Sequence, residues 1–153
     1  MRPAQLEHFV GQAHLRARLD NLLKAQRLPS LLFFGPPGCG KSTIALLLAN
    51  AHSNKVLRLS APEAGLQNLR RSLVNVEVLV LPAVESGDIT LLATTTENPS
   101  FSVTRQLLSR LHVLRLRPLT VEELKELLVR GLGELGITLE QEAQEMLAML
   151  AHG

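Results

Sequence analysis

Apolar runs of strand length alternate along the chain with longer stretches in which apolar residues recur at helical spacing. Leucines at helical spacing predict a helix over residues 12–28. The all-apolar run LLFF at 31–34, bounded by proline and glycine, predicts a buried parallel strand. Residues 41–51 predict a helix that is apolar on nearly every side, and strand patterns follow at 55–60 and 89–94.

The remaining patterns continue this alternation. We expect a helix at 63–73, a short helix at 103–110 and a strand at 111–116, and the run VEVLVL at 76–81 is compatible with another strand. Strands that alternate with helices predict a parallel sheet covered by helices on both faces, which is an α/β fold.

Two amphipathic helices close the chain with no strand between them. Thr120 with Glu123, and Thr138 with Gln141, have the spacing of capping boxes. Apolar residues are expected to line one face of each helix: Leu124, Leu127 and Leu128 on the first, and Ala143, Met146, Leu147 and Leu150 on the second. We therefore expect an α/β core over residues 1–117 and the start of a small helical lid over 118–153.

The composition narrows the classes of protein to which the chain can belong. Of the 153 residues, 46% are hydrophobic, which is enough for a packed core and argues against disorder. The chain has four Phe, no Trp and no Tyr, so binding of single strands by aromatic stacking is not expected. The net charge of +2 permits contact with a phosphate backbone but does not require it.

The charged residues and the single cysteine further limit the kinds of site that the chain can carry. The arginines from residue 105 to 117 fit a solvated surface as well as a nucleic-acid patch. Because Cys39 is the one cysteine, the chain can hold no internal disulfide and no multi-cysteine zinc site. Neither a membrane span nor a signal peptide is present in the sequence pattern, so the expectation is a soluble cytoplasmic protein.

The strongest chemical signal is GPPGCGKS at 35–42, which matches G-x-x-x-x-G-K-[ST] and lies between a predicted strand and a predicted helix. The glycines let the backbone turn sharply, so that its N–H groups point at phosphates. Lys41 supplies a positive charge to the β- and γ-phosphates, and the Ser42 hydroxyl is a ligand for Mg²⁺. The predicted binding residues for ATP and Mg²⁺ are Gly35, Pro36, Pro37, Gly38, Cys39, Gly40, Lys41, Ser42 and Thr43.

Four stretches carry a resemblance to a known family: RPAQLEHFVGQAHL, GPPGCGKST, LSAPEAGLQNLR and ESGDITLLATTTENPSFSVTRQLLSRLHVLRLRPLT. The chain resembles the P-loop AAA+ ATPases of the clamp-loader clade, and more closely the replication-associated recombination protein A family, for which TTENPSF is the most specific string. The resemblance implies ATP-driven work on DNA at stalled replication forks by a ring-like homo-oligomer. A clamp-loader subunit, a Holliday-junction motor of the same clade and a non-catalytic fragment are the alternatives.

The resemblance implies roles at both ends of the core. Val10, Gly11 and Gln12 would line the adenine pocket. Arg110, in the string LLSR, would be an arginine finger that reaches the ATP of a neighbouring subunit. The alternative for Arg110 is a surface arginine at a helix end.

The resemblance also implies a sensor-1 group at the end of the strand predicted at 89–94. Thr95 or Thr96, with Asn98 just beyond, would orient the attacking water near the γ-phosphate. These three residues, with Lys41 and Arg110, form the predicted catalytic set.

The sequence departs from the family where a strand ending in an Asp-Glu pair is expected. In the family the aspartate holds Mg²⁺ through water and the glutamate activates the attacking water. Here LRRSLV leads straight to NVEVLVLPAVESGDI, so the core is shortened near residues 74–78. Either a segment is missing, or VEVLVL takes the strand position and Pro82 falls where the aspartate belongs. Glu85 and Asp88 are interpreted as ordinary turn acids.

Two expectations follow from this departure and from the resemblance. Hydrolysis of ATP is expected to be weak or absent. Members of the family continue past the segment that resembles this chain, into a helix with a sensor-2 arginine and an oligomerisation domain, so the homo-oligomer is an uncertain expectation for this chain by itself.

Overall fold

The structure, a computed structural model, describes residues 5–52 and 84–151. The sequence patterns at 55–60, 63–73 and 76–81 lie outside these residues, and the elements proposed for them stay predictions. The same holds for the shortening near 74–78.

Three parallel strands form the sheet of the described residues. They are β1 (Leu31–Phe34), β2 (Leu92–Thr95) and β3 (His112–Arg115), in the order β2-β1-β3. Phe34 lies opposite Thr95 on one side and Arg115 on the other, so the three strands end at the same edge of the sheet. We call this the C-terminal edge, and the opposite one the N-terminal edge. The strand predicted at 31–34 is confirmed, and that at 111–116 is one residue shorter at each end.

The strand predicted at 89–94 is displaced, because β2 begins at Leu92. Before β2 begins, the Thr90 hydroxyl donates to the Leu28 carbonyl oxygen at 3.1 Å, and the Leu91 N–H donates to the Ser30 hydroxyl at 3.0 Å. The Leu91 carbonyl oxygen also accepts from the Leu31 N–H of β1 at 2.8 Å, so backbone bonding to β1 starts one residue before the strand. The alternation of apolar residues alone could not locate this boundary.

Helices α1 (Arg16–Lys24) and α2 (Lys41–His52) flank the sheet. The helix predicted at 12–28 was too long, because short 3₁₀ turns at Leu6–His8 and Ala13–Leu15 precede α1 and Ala25 is extended. The helix predicted at 41–51 is confirmed and runs one residue further.

The helix predicted at 103–110 is shorter at both ends, since α4 spans Arg105–Leu108, and an unpredicted four-residue helix, α3 (Pro99–Ser102), precedes it. Val103 between them is extended, with φ −126° and ψ 141°. Each short helix has its own side-chain cap, since Asn98 accepts from the Ser100 N–H and Thr104 accepts from the Leu107 N–H. With Thr104 as its cap, α4 begins at Arg105, two residues after the predicted start.

Apolar side chains cover both faces of this sheet. On one face Leu31 and Phe33 are fully buried against α1 and α2, in a cluster that includes Leu19 and Ile44. On the other face Leu32 belongs to a second cluster, with Leu107 and Leu111. Successive strand residues therefore point into opposite cores, as a parallel sheet between two helical layers requires. The predicted α/β fold is confirmed.

Two helices, α5 (Val121–Leu135) and α6 (Gln141–Leu150), form the lid hairpin. The capping box at the start of α5 is confirmed: the Glu123 N–H donates to the Thr120 hydroxyl at 3.2 Å, and the Thr120 N–H donates to the Glu123 carboxylate at 2.9 Å. Gly136 ends α5 in the left-handed conformation, with φ 68°.

The second capping box, Thr138 with Gln141, was predicted wrongly. The N-cap of α6 is Glu140, whose side chain makes no capping hydrogen bond, and Gln141 is the first helical residue. With the cap at Glu140, the third helical position falls on Ala143, which has no side-chain acceptor. A capping box is therefore impossible in this register.

The apolar face predicted for α6 is also only partly correct. Ala148 is buried, whereas Met146 and Leu150 are 64% and 67% exposed. On α5, Leu124 and Leu128 are half-buried and Leu127 is 38% exposed. The hairpin thus leaves much of its apolar surface open within the described residues. No helix in this part of the chain is long and apolar enough to cross a membrane.

The lid hairpin has one cross-helix ion pair whose titration can be predicted. The Lys125 ammonium donates to the Glu145 carboxylate at 2.7 Å, and this hydrogen bond, with a second from Gln141, lowers the pKa of Glu145. Because the folded pKa lies below the ordinary value, the contribution to stability is present above the ordinary value and is lost as the pH falls through the lowered one. We expect Lys125→Met to move the carboxyl midpoint of Glu145 upward in an NMR titration.

Glu122 is the internal control for this titration. Its pKa is lowered by a hydrogen bond from its own backbone N–H and by one from Thr120, neither of which involves Lys125. Its midpoint should stay in place in Lys125→Met. An equal rise at both carboxyl groups would show that the hairpin itself had changed.

Candidate nucleotide-binding site

The phosphate-binding loop predicted from the sequence connects the end of β1 to the start of α2. The Gly35 N–H donates to the Thr95 carbonyl oxygen at 3.3 Å, which ties the loop to the end of β2. A Cβ atom at Gly35 would lie 2.6 Å from the Leu116 carbonyl oxygen, so the chain beyond β3 crosses closely on the other side. The loop is therefore held at the middle of the C-terminal edge.

Two further glycines give the loop its shape. Gly38 and Gly40 have φ of 78° and 93°, in the left-handed region that side chains disfavour. A Cβ atom at Gly40 would lie 2.7 Å from the Phe9 ring, which packs directly on the loop. Both the turn and the close approach of Phe9 thus require glycine at position 40.

The Lys41 ammonium group lies inside this loop. It donates to the Gly35 carbonyl oxygen at 2.9 Å and to the Pro36 carbonyl oxygen at 2.6 Å, and Lys41 is only 9% exposed. The fully buried Cys39 places its sulfur 3.9 Å from the same ammonium. Carbonyl dipoles hold the charge where the loop encloses it, because a buried charge without partners is costly.

The backbone N–H groups of residues 38–43 donate no hydrogen bond to any acceptor in the described parts of the chain. Several belong to the first turn of α2, where unpaired N–H groups and the helix dipole favour an anion. The charge on Lys41 and this group of donors fit the triphosphate of a nucleotide. Pro36 lies in a bend and Pro37 in a turn of the same loop.

Ser42 is exposed in the first turn of α2, and Thr43 beside it is half-buried. A hydroxyl at this position fits Mg²⁺ that is already bound to phosphate oxygens. No group of three histidine, cysteine or acidic side chains within residues 5–52 and 84–151 could hold a metal ion. Ser42 remains the predicted protein ligand.

The predicted sensor residues follow β2 at the same edge of the sheet. The Thr95 hydroxyl accepts from the Glu97 N–H at 3.1 Å, and Asn98 Oδ1 caps α3 by accepting from the Ser100 N–H at 3.1 Å. Thr96 is exposed. The structure brings Thr95 next to the loop through its carbonyl bond with Gly35, while the sensor role of all three residues stays a prediction.

Arg110 lies at the opposite edge. It precedes β3, where the His112 N–H bonds to the Ser30 carbonyl oxygen just before β1 begins. A four-residue strand, roughly 13 Å long at about 3.3 Å per residue, separates this edge from the loop. The Arg110 guanidinium lies 3.4 Å from the Glu85 carboxylate, and both side chains are about half exposed.

The Arg110–Glu85 pair was not predicted from the sequence, in which Glu85 was interpreted as a turn acid. The two residues are separated by 25 positions, and no local spacing links them. The interpretation of Asp88 fits the structure, since its carboxylate accepts a hydrogen bond from the Ser86 hydroxyl within the same turn.

The segment predicted to line the adenine pocket packs between the loop and the lid. Val10 and Gln12 are buried, and a Cβ atom at Gly11 would lie 2.5 Å from the Leu119 side chain. The Gln12 amide bonds to the backbone of Arg117 in both directions, at 2.7 and 2.9 Å. The contact of these residues with adenine stays a prediction.

Comparison with known proteins identifies the family to which this loop and sheet belong. The family model of the Holliday junction DNA helicase RuvB P-loop domain matches residues 1–97, which is more than half of the chain. The chain belongs to the RuvB-type P-loop family. Proteins of this family are AAA+ ATPases, and the expected resemblance to replication-associated recombination protein A is confirmed.

Three relatives show how far the similarity of this RuvB-type domain extends. An AAA domain-containing protein of Mycobacterium tuberculosis is 38% identical over all of this chain and 41% of its own length. Replication-associated recombination protein A of Escherichia coli is 33% identical over all of this chain and 42% of its own length. The solved RuvB Holliday junction branch migration motor of Thermotoga maritima matches with a TM-score of 0.74 and 28% identity, over 96% of this chain and 59% of that one.

The lengths of these matches differ from the length of this RuvB-type domain. The chain spans about two fifths of the curated relatives. The match to the Escherichia coli protein extends over 187 residues, whereas the present chain has 153. At least 34 positions of that relative, the difference between the two lengths, therefore have no counterpart in this chain.

The shape of the loop generates a prediction at Gly40. Gly40→Ala places a methyl group in the left-handed region and against the Phe9 ring, so we expect the free energy of unfolding to fall by about 1–3 kcal/mol. Gly131→Ala is the matched control, because a Cβ atom there meets nothing within 4 Å inside α5. The control should gain about 0.5–1 kcal/mol. Denaturant unfolding measures both, and a neutral Gly40→Ala would contradict the tight contact with Phe9.

Proposed function

We propose that this chain is an ATP- and Mg²⁺-binding module of a recombination ATPase similar to replication-associated recombination protein A. The observation that carries the proposal is the buried Lys41 ammonium, enclosed by loop carbonyl groups, together with N–H groups of residues 38–43 that have no acceptor within residues 5–52 and 84–151. This is an arrangement of positive charge and donors that a triphosphate satisfies.

On binding, the phosphates would replace the carbonyl oxygens of Gly35 and Pro36 as partners of Lys41. The loop N–H groups would bind the phosphate oxygens, and the Ser42 hydroxyl would hold the metal ion. Mg²⁺ supplies neutralisation of phosphate charge when bound. Gly11 lies against Leu119 and Glu123 at the start of the lid, so this segment would close a pocket over the base together with the lid, as the adenine role requires.

We further propose that hydrolysis is weak or absent. The acidic pair that the family uses to hold Mg²⁺ and activate water is not found in the sequence between the loop and β2. The length difference of at least 34 positions supports the interpretation that a segment is missing. Glu85 and Asp88 do not replace it, because Glu85 pairs with Arg110 at the N-terminal edge and Asp88 accepts from Ser86.

DNA and other copies of the chain are the proposed partners. The related Thermotoga maritima protein is described as a Holliday junction branch migration motor, and the other named relative as a recombination protein. Arg110 lies about one strand length from the loop of its own chain and is half exposed, which supports a role towards the nucleotide of a neighbouring copy. The location proposed with this function is the cytoplasm.

Calorimetric titration with ATP·Mg²⁺ tests the proposal, using Lys41→Met beside the wild type. Methionine keeps the buried stem and removes the charge, so loss of charged hydrogen bonds should weaken binding at least tenfold, on the scale of about 1.5–3 kcal/mol per bond. Lys24→Met, at an exposed lysine near the end of α1, is the matched control and should bind as the wild type does. Equal binding by Lys41→Met would reject the loop as the site.

Phosphate release measured on the same proteins tests the proposal that hydrolysis is weak or absent. We expect no ATP turnover above that of Lys41→Met, with or without DNA, because the groups that activate water are missing. A Lys41-dependent turnover similar to that of ordinary AAA+ enzymes would overturn this proposal while leaving nucleotide binding intact. Binding without turnover also separates the module from a partner-binding fragment, which would bind no ATP.

A further inference from the structure

Three separate segments of the chain meet at Gln12. This residue has φ 57° and ψ 36°, and among the described residues it is the one non-glycine with positive φ. Such a conformation costs energy and persists where the surroundings hold it in place. Gln12 is also 4% exposed, so its side-chain amide must find partners inside the protein.

The partners of the amide lie in the loop and in the linker to the lid. Gln12 Nε2 donates to the Arg117 carbonyl oxygen at 2.7 Å, and Oε1 accepts from the Arg117 N–H at 2.9 Å. The Gln12 side-chain amide thus gives one hydrogen bond to the Arg117 backbone and accepts one from it, as the backbone of a residue in a neighbouring strand would. Nε2 also lies 3.4 Å from the carbonyl oxygen of Cys39, within the phosphate-binding loop.

Other contacts join the same segments around Gln12. The Leu116 carbonyl oxygen lies against Gly35, and Leu119 and Glu123 at the start of the lid lie against Gly11. Arg130 of α5 donates to the carbonyl oxygen of His8. A shift of the lid linker would therefore move Arg117, then the Gln12 amide, and then the Cys39 peptide.

We propose that Gln12 is a positioning residue that couples the linker between the sheet and the lid to the shape of the phosphate-binding loop. The inference rests on the proposed nucleotide binding but assigns Gln12 a different task from contact with adenine. Its amide is bonded to the backbone of the protein, so it acts on the nucleotide through Arg117 and Cys39.

The test is Gln12→Met. Methionine is similar to glutamine in volume and also carries a side chain at this left-handed position, but it cannot make the hydrogen bonds of the amide. We expect ATP affinity to fall about tenfold, as loss of one or two buried hydrogen bonds implies. Without nucleotide, amide hydrogen exchange should quicken at Gly35, whose N–H donates to the Thr95 carbonyl oxygen, and at Arg117, whose N–H donates to the Gln12 side chain. Exchange within β1 and β2, which Gln12 does not contact, should stay slow and would report that the fold is intact.

His14→Ala is the matched control. His14 lies in the same segment, and its Nε2 also bonds to the β3 backbone, at the Arg115 carbonyl oxygen, but the described residues show no hydrogen bond from it to the loop. It should leave ATP affinity and loop exchange unchanged. Gln12→Glu is the second variant: it keeps the acceptor for the Arg117 N–H but sets a carboxylate against two carbonyl oxygens, so it should also quicken loop exchange.

The outcomes separate this inference from the proposed function. If the wild type binds no ATP, the proposed function fails, while the exchange rates of the nucleotide-free chain still test the coupling. Unchanged exchange at Gly35, the loop residue with a hydrogen-bonded N–H, in both Gln12 variants would overturn the coupling even if ATP binds. The same loss of affinity in His14→Ala would show that the whole segment, and not the Gln12 amide, supports the loop.

Discussion

The buried ammonium group of Lys41 imposes the shape of its surroundings. Its partners within the described residues are main-chain carbonyl oxygens, at 2.6 and 2.9 Å, and not a carboxylate. For these oxygens to point inward the loop must turn sharply, which needs left-handed backbone at Gly38 and Gly40. The N–H groups of residues 38–43 have no acceptor among the described residues, which leaves them available to an anion. Folding of the loop and its chemistry thus follow from one requirement, the solvation of a charge by peptide dipoles.

Different functional groups lie at the two edges of the parallel sheet. All three strands run the same way, so the loop and Thr95 share one edge and Arg110 with Glu85 share the other. The exposed pair of Arg110 and Glu85 has little value for stability, since exposed ion pairs contribute about 0–1 kcal/mol. In the proposed arginine-finger role, Arg110 would reach from this edge to the nucleotide of a neighbouring copy.

Local sequence signals predicted the loop, β1 and α2 nearly to the residue. Each of these predictions depends on residues that are close in the chain: apolar runs for β1 and α2, and a glycine pattern for the loop. The capping box at Thr120, which starts α5, is a signal of the same kind. The wrong predictions had other causes. Thr138 has the spacing of a cap, but the helix begins three residues later, and the cap at Thr104 starts α4 two residues after the start predicted for it. The pairing of Gln12 with Arg117 spans 105 positions, and only the fold brings those residues together.

Binding of a nucleotide and its hydrolysis depend on different parts of such a domain. The groups that bind phosphate lie on β1, its loop and α2, which the structure describes completely, and they need the neighbouring strands only as supports. The groups that activate water belong to another strand, for which this sequence has no acidic pair and relatives have additional residues. Within residues 5–52 and 84–151, every hydrogen bond of Lys41 goes to the loop itself, which supports binding of phosphate without the second set. With the proposed coupling through Gln12, binding of nucleotide would change the position of the lid linker in this chain even where ATP is not turned over.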